Sequence, residues 1–315
     1  MTHALSQPPF ASSSRREEPP FGRLLTAMVT PFRPDGSLHL EAAAQLATYL
    51  VDVQGNDGLV INGTTGESPT TTDAEKSALL QVVVEAVGDR AHVLAGVGTN
   101  NTPHTVELAQ AAAKAGAHGL LVVTPYYNKP PQAGLLQHFT TVADATDLPV
   151  MLYDIPHRAG VAIATETLLK LAEHERIIAV KDAKGDLTAT SWVMRGSDLA
   201  MYCGDDPMVL PWMAAGAVGV VGTSTHLTGQ QTKQMFAAYL DGRVAEAGAL
   251  HRQLLPIYTG IFRTQGVMLV KAALAAQGFP VGPVRPPLVD ATPAELEQLK
   301  ADCALAGITL NEVSA

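Results

Sequence analysis

A lysine that directly follows a run of aliphatic residues is the first chemically suggestive feature of the chain. Residues 177–182 read I-I-A-V-K-D, so Lys181 ends a segment typical of a buried strand. Burial lowers the pKa of an amine, and a neutral lysine amine can attack a carbonyl carbon to form a Schiff base. An isolated lysine more often extends to solvent or pairs with a neighbour such as Asp182. Lys184, in the polar turn that follows, is expected to be solvated.

Two threonines between glycines form a second candidate site. The segment N-G-T-T-G-E-S offers the hydroxyl groups of Thr64 and Thr65, together with backbone N–H groups. Such a loop, leading towards a helix N-terminus, suits the binding of a carboxylate. The alternative is an ordinary glycine turn with capping threonines, and composition alone favours it.

Tyrosines and an arginine follow two further aliphatic runs. The stretch T-P-Y-Y-N-K-P-P contains the adjacent Tyr126 and Tyr127, which on their own would favour a packing role. The stretch Y-D-I-P-H-R-A-G places Tyr153 at the end of a run and Arg158 five residues later. A guanidinium group suits bidentate binding of a carboxylate, whereas the alternative for Arg158 is an exposed surface charge.

Eight aliphatic runs recur along the chain and must position these groups. They predict strands at 24–30, 57–62, 92–98, 119–125, 149–155, 177–182, 199–204 and 217–223. Their continuous apolar character indicates a parallel sheet that is covered on both faces. Helical periodicity at 39–54, a capping signature at 73–87 and a Pro-first, Gly-last pattern at 103–115 predict helices between them.

Strand and helix alternating eight times predict an α/β protein, a (β/α)8 TIM barrel. A doubly wound open sheet is the rival, but the chain has no G-x-G-x-x-G nucleotide motif. Beyond the eighth strand, helices are predicted near 228–241, 244–262, 266–277 and 293–305. The predicted organisation is a disordered lead-in over 1–20, a barrel core over 21–227 and a helical C-terminal appendage over 228–315 that packs on the barrel.

Composition limits the possible functions. Of the 315 residues, 47% are hydrophobic and 16% are charged, which is typical of a compact protein. The net charge of −9 argues against general nucleic-acid binding. Cys203 and Cys303 are too few for a disulfide framework, so a reducing cytosol is expected. The sequence has no apolar run long enough for a membrane span, and residues 1–20 lack the apolar core of a secretory signal.

The candidate residues share one position relative to the predicted strands. In a (β/α)8 barrel, catalytic groups lie at the carboxyl ends of the strands and in the loops that follow. Lys181, Tyr153 and the loop with Thr64 each come at or directly after the end of an aliphatic run. The fold would therefore bring them to one mouth of the barrel.

In this order and on these strands, the four segments resemble the dihydrodipicolinate synthase and N-acetylneuraminate lyase family of class I, pyruvate-dependent aldolases. The most specific motifs are G-L-V-I-N-G-T-T-G-E-S followed by Glu75, and Y-D-I-P followed by V-K-D-A. The resemblance runs from about residue 21 to the C-terminus. Within the family, the chain is most similar to the dihydrodipicolinate synthase branch of high-GC actinobacteria.

The resemblance implies a catalytic role for four residues. Lys181 matches the Schiff-base lysine, and Tyr153 matches the tyrosine that shuttles protons. The implied proton relay runs from Tyr153 through Thr64 to a tyrosine of a neighbouring subunit, which here is Tyr127.

Three further residues are implied to bind substrates. Thr65 matches the residue that holds the carboxylate of pyruvate, and the backbone carbonyl of Val221 is expected to touch pyruvate as well. Arg158 matches the arginine that receives the carboxylate of aspartate semialdehyde. Lyases whose aldehyde partner is a neutral sugar usually lack this arginine. No metal or dissociable cofactor is implied.

The implied activity is that of a Schiff-base-forming lyase of diaminopimelate and lysine biosynthesis. It condenses pyruvate with L-aspartate 4-semialdehyde to 4-hydroxy-tetrahydrodipicolinate. The implied protein is a cytoplasmic homo-oligomer, at least a dimer and usually a tetramer made of two dimers, which binds neither nucleic acid nor membranes. One alternative is a related aldolase or lyase for a sugar acid or another 2-oxo acid. Another is a non-catalytic barrel that senses a small acid.

Overall fold

The structure, a computed structural model, describes residues 19–310. Eight parallel strands form a closed barrel in chain order, and the last strand pairs with the first. The strands are β1 (Leu24–Ala27), β2 (Gly58–Ile61), β3 (His92–Gly96), β4 (Gly119–Val123), β5 (Val150–Asp154), β6 (Ile177–Asp182), β7 (Ala200–Cys203) and β8 (Gly219–Gly222). The predicted barrel is confirmed. β6 has its predicted bounds, and the other strands are shorter than predicted.

Alternation along the strands decides which side chains reach the barrel interior. Successive residues of a strand point to opposite faces. On β6, Ala179 belongs to the cluster inside the barrel, whereas Val180 packs in the larger cluster beneath the helices. The next inward position is Lys181, which pairs in register with Tyr153 on β5. The same pleat that fills the core therefore directs both polar side chains inward at the carboxyl ends of their strands.

Helices cover the outside of the barrel. They are α1 (Leu40–Thr48), α2 (Asp73–Val87), α3 (Thr102–Lys114), α4 (Gln132–Asp144), α5 (Pro156–Ala159), α6 (Thr165–Leu171), α7 (Leu187–Gly196), α8 (Val209–Ala215), α9 (Thr225–Leu240), α10 (Val244–Gly260), α11 (Gly266–Ala276) and α12 (Pro293–Leu305). The predicted capping signature of α2 is confirmed, because Thr72 and Glu75 form a reciprocal capping box. Short 3₁₀ turns lie at Ser68–Thr70 and Asp206–Met208.

The helix predicted over 39–54 differs in its second half. After α1 the chain continues as a π-helical turn over Tyr49–Val53. The carbonyl oxygen of Leu50 accepts hydrogen bonds from both the backbone amide and the side-chain amide of Asn56. These two hydrogen bonds accompany the wider π-helical turn, which the periodicity of the sequence did not predict.

The C-terminal helices α9 to α12 lie within a few residues of their predicted positions. α9 packs against β1, α10 packs against α9 and α12, and α11 packs against α12. Of the predicted lead-in at 1–20, all but the last two residues fall outside the described residues. The division of the chain at residue 227 stays a prediction.

We expect Tyr202→Phe to lower the free energy of unfolding by about 1–3 kcal/mol. The buried Tyr202 hydroxyl accepts a hydrogen bond from the amide of Phe21 at 3.2 Å and donates one to the carbonyl of Gly22 at 2.9 Å. The variant leaves a buried N–H group without its acceptor. Urea unfolding measures the loss, with Tyr239→Phe on α9 as the control. Equal stability of the two variants would contradict this account.

Candidate active site

Lys181 is the penultimate residue of β6, and its amine lies inside the barrel. The residue is only 6% exposed, and its Nζ lies 4.3 Å from the centroid of the Tyr153 ring. Burial lowers the pKa of this amine to about 8; the positive charge of Arg158 adds to that effect, and the carboxylate of Asp206 opposes it. A substantial fraction of the amine is therefore neutral near pH 8, which the attack on a carbonyl requires.

The alternative in which Lys181 pairs with Asp182 is wrong. Adjacent residues of a strand point to opposite faces, and Asp182 faces away from the barrel interior. Its carboxylate accepts hydrogen bonds from the hydroxyl of Thr190 at 2.7 Å and the amide of Lys184 at 2.8 Å. The prediction that Lys184 is solvated is also wrong, because its side chain is 14% exposed and its amine lies 3.4 Å from the buried carboxylate of Asp154.

Tyr153 stands beside Lys181 at the end of β5. The side chain is buried, and burial raises the pKa of its phenol, while Arg158 and a side-chain hydrogen bond with Thr64 lower it. Burial prevails, so the phenol is protonated at neutral pH. It can donate a proton to a group bound at the Lys181 amine and recover it through Thr64.

The loop of Thr64 and Thr65 is held in place by its own hydrogen bonds. The carbonyl of Gly63 accepts from the amides of Gly66 at 3.1 Å and Ser68 at 3.3 Å. The hydroxyl of Thr65 lies 3.2 Å from that of Thr223, which follows β8. The segment forms a turn, but neither threonine caps α2, whose N-cap is Thr72, so the capping part of the alternative is wrong.

Arg158 lies at the rim of the mouth. It belongs to the short helix α5, which is followed by Gly160, a C-cap glycine with a φ of 82°. The guanidinium is exposed and donates a hydrogen bond to the side chain of Gln265 at 3.0 Å. It influences the pKa of both Lys181 and Tyr153. Arg158 is therefore a solvent-accessible cation that faces the site.

A cavity of about 550 Å³ opens at this mouth. Its walls include Thr64, Leu121, Tyr126 and Arg158. The volume falls within the range of about 300–1,000 Å³ that is typical of small-molecule sites. Lys181 and Tyr153 are not among the residues that line this cavity, whereas Thr64, which interacts with the Tyr153 side chain, does line it.

Tyr127 does not plug the core. It is 88% exposed, and its backbone has a φ of 74°, in the left-handed region that non-glycine residues rarely adopt. Its amide donates a hydrogen bond to the carbonyl of Ala159 at 3.3 Å. The packing alternative is therefore wrong for Tyr127, whose phenol projects from the rim of the cavity.

Val221 lies on β8, where it pairs with Leu25 of β1. It is 1% exposed and belongs to the hydrophobic cluster inside the barrel. Thr223 follows it by two residues, so β8 reaches the same end of the barrel as Lys181.

Asp206 is a buried carboxylate that the sequence reasoning missed. It accepts hydrogen bonds from the amide of Thr223 at 3.2 Å, the amide of Ser224 at 3.1 Å and the hydroxyl of Ser224. A Cβ atom on Gly222 would lie 2.7 Å from the Asp206 carboxylate, so this approach needs a glycine. The signal was available: G-D-D-P follows the seventh strand and T-S follows the eighth, at the carboxyl ends where polar residues gather.

Residues 19–310 contain neither a candidate metal-ligand cluster nor a candidate membrane-spanning helix. Those residues include no group of three or more His, Cys, Asp or Glu side chains that could hold a metal ion. Over the same residues, every helix is too short or too polar to cross a membrane.

Comparisons with known proteins identify the family of this chain. Residues 20–305 match the Dihydrodipicolinate synthetase family. The 4-hydroxy-tetrahydrodipicolinate synthase of Acidothermus cellulolyticus is 70% identical over 290 residues, which are 92% of this chain and 94% of that protein. The 4-hydroxy-tetrahydrodipicolinate synthase 2 of Streptomyces coelicolor is 62% identical over 291 residues, 92% of this chain and 97% of that protein.

A solved structure gives the same result. Dihydrodipicolinate synthase from Bacillus anthracis superposes with a TM-score of 0.88 at 41% identity, covering 90% of this chain and 98% of that one. The match to the family includes all the segments on which the resemblance was inferred from the sequence. That inference is thereby confirmed, and the chain belongs to the Dihydrodipicolinate synthetase family.

Proposed function

We propose that this protein is a lyase that condenses pyruvate with L-aspartate 4-semialdehyde to 4-hydroxy-tetrahydrodipicolinate, a step of diaminopimelate and lysine biosynthesis. The observation that carries the proposal is the buried amine of Lys181, 4.3 Å from the Tyr153 ring. The names of the relatives from Acidothermus cellulolyticus and Streptomyces coelicolor support the same reaction. In this proposal every chemical step uses side chains and substrates alone.

The first step joins Lys181 to pyruvate. The neutral amine attacks the ketone carbon, and the resulting carbinolamine loses water to give a protonated imine. Thr65 and the backbone carbonyl of Val221 contact the bound pyruvate, and the Thr65 hydroxyl donates to its carboxylate. Tyr153 supplies the proton that leaves with the departing water, and Thr64 passes protons to and from Tyr153.

The second step forms the carbon–carbon bond. The positive imine withdraws electrons, so the methyl group of bound pyruvate loses a proton to the Tyr153 phenolate that the first step left, and an enamine forms. The enamine carbon attacks the aldehyde of the second substrate, and the new alkoxide takes a proton from Tyr153. The amino group of that substrate then displaces the Lys181 amine, which closes the ring and frees the enzyme.

Tyr127 completes the proton relay from a second copy of the chain. Its phenol is 88% exposed at the rim of its own cavity, and its strained backbone projects it outward. A tyrosine so placed suits insertion into a neighbour's site better than service to its own. The functional unit is then at least a homodimer, with a tetramer of two such dimers as the larger assembly. The location is the cytoplasm, which agrees with the unpaired, buried Cys203 and Cys303.

Lys181→Met is expected to reduce formation of the cyclic product by roughly a thousandfold or more, because the nucleophile is lost. Purified protein is incubated with pyruvate and aspartate semialdehyde, and the product is followed by mass spectrometry. Lys170→Met, which changes an exposed lysine on α6, is the control and keeps most of the activity. A parent protein that forms no cyclic product would contradict the proposed function.

The pH dependence of imine formation should follow the Lys181 amine. With pyruvate alone, the rate should rise as the pH increases through about 8, where the amine loses its proton, and then level off. Asp206→Asn removes a negative charge that raises this pKa, so the midpoint should move to lower pH. Arg158→Ala removes a positive charge that lowers it, so the midpoint should move to higher pH. Rapid-quench measurements check the signs, and shifts in the same direction would refute the electrostatic assignment.

Arg158 should determine the choice of aldehyde. Arg158→Ala is expected to lower kcat/KM for aspartate semialdehyde by about 10- to 100-fold, because a charged hydrogen bond to its carboxylate is lost. Arg158→Lys keeps the positive charge but loses the bidentate geometry. Its kcat/KM for aspartate semialdehyde should lie between those of the parent and the alanine variant. Steady-state kinetics at saturating pyruvate measure the effect. Parent-like kinetics in the alanine variant would favour the alternative of an aldolase or lyase for a sugar acid or another 2-oxo acid.

A further inference from the structure

A buried ion pair joins the threonine loop to the C-terminal helices. The carboxylate of Glu67 lies 2.7 Å from the amine of Lys271 on α11. The two side chains are 1% and 3% exposed. Glu67 follows Thr65 by two residues, whereas Lys271 lies far along the chain. The pair therefore connects the candidate carboxylate-binding loop to an element outside the eight barrel strands.

Both charges of this pair have further partners. The amide of Arg285 donates to the Glu67 carboxylate at 2.8 Å, and the Lys271 amine donates to the carbonyl of Pro283 at 2.8 Å. The same amine lies 4.3 Å from the centroid of the Phe32 ring. Burying two charges costs free energy unless geometry and partners compensate it. If the contact only packed the loop against the helix, apolar side chains could serve without any buried charge.

The backbone of Glu67 is fixed as firmly as its side chain. It has a φ of 56°, a left-handed conformation that a glutamate adopts only when its surroundings hold it there. Its amide donates to the carbonyl of Thr64 at 3.1 Å, and its carbonyl accepts from the hydroxyl of Thr70 at 3.0 Å. Any displacement of the Glu67 carboxylate is therefore transmitted to Thr64 and Thr65.

The helix that carries Lys271 also supports the other side of the site. α11 begins at Gly266, where a Cβ atom would lie 3.3 Å from the methyl group of Thr223. Thr223 is the residue whose hydroxyl lies 3.2 Å from that of Thr65. The first residue of this helix thus lies close to Thr223, and Lys271 of the same helix pairs with the loop of Thr65 through Glu67.

We infer that Glu67 and Lys271 are positioning residues that set the Thr65 hydroxyl at the distance from Thr223 needed to hold the carboxylate of pyruvate. The inference rests on the proposed function and assigns α11 a part in the pyruvate site. Neither residue touches the substrate. Losing their contact releases the threonine loop and weakens the pyruvate site, while Arg158 keeps its hydrogen bond to Gln265, the residue that precedes α11.

The test compares the KM values of the two substrates in three variants. Lys271→Met and Glu67→Gln each remove one charge, and the double variant removes both, which proteins often tolerate better than one unpaired buried charge. We expect KM for pyruvate to rise about tenfold or more in each folded variant, since small misplacements of a binding group have large effects. KM for aspartate semialdehyde should stay within about twofold of the parent value.

Lys300→Met is the matched control, because Lys300 also pairs with a glutamate of the C-terminal helices but at the surface, with 41% of its side chain exposed. It should leave both KM values unchanged. Thermal unfolding identifies which variants fold, and the double variant serves if a single one does not. A folded variant whose pyruvate KM matches the parent, or in which both KM values rise together, overturns the inference. An inactive parent protein instead contradicts the proposed function.

Discussion

Holding a lysine amine out of water is the constraint on which the rest of this site depends. An ammonium group prefers water, so placing Lys181 inside the barrel costs free energy that the fold must supply. The parallel strands supply it, because β6 is anchored on both sides and its pleat leaves no other direction for this side chain. The result is an amine with a pKa of about 8. A loop could not hold the amine in this way, since it would let the side chain return to solvent.

Neighbouring charges then modify the pKa of the Lys181 amine, which burial has lowered. Burial has the largest effect on the pKa of Lys181, and Asp206 and Arg158 act on it in opposite directions. Asp206 has a second task, since its hydrogen bonds hold the chain after β8 where Thr223 meets Thr65. A single buried carboxylate thus links the protonation of the Lys181 amine to the position of the threonine loop. The ion pair of Glu67 and Lys271 likewise connects that loop to α11.

Much of this arrangement could be predicted from the sequence because it depends on local patterns. Aliphatic runs identified all eight strands, and the rule for barrels placed Lys181, Tyr153 and Thr64 at one mouth. What could not be predicted depends on contacts between distant parts of the chain. Glu67 meets Lys271 only because α11 folds back over the barrel, and Arg158 meets Gln265 for the same reason.

The wrong prediction for Lys184 has a physical cause as well. A lysine in a polar turn normally reaches solvent, but the chain turns back after β6 and brings this amine to the buried Asp154.

The most direct measurement of the central claim is reduction with borohydride in the presence of pyruvate, followed by mapping of the modified peptide. A single adduct on Lys181 is the predicted result, and an active enzyme with no adduct, or with one on another lysine, would contradict the account.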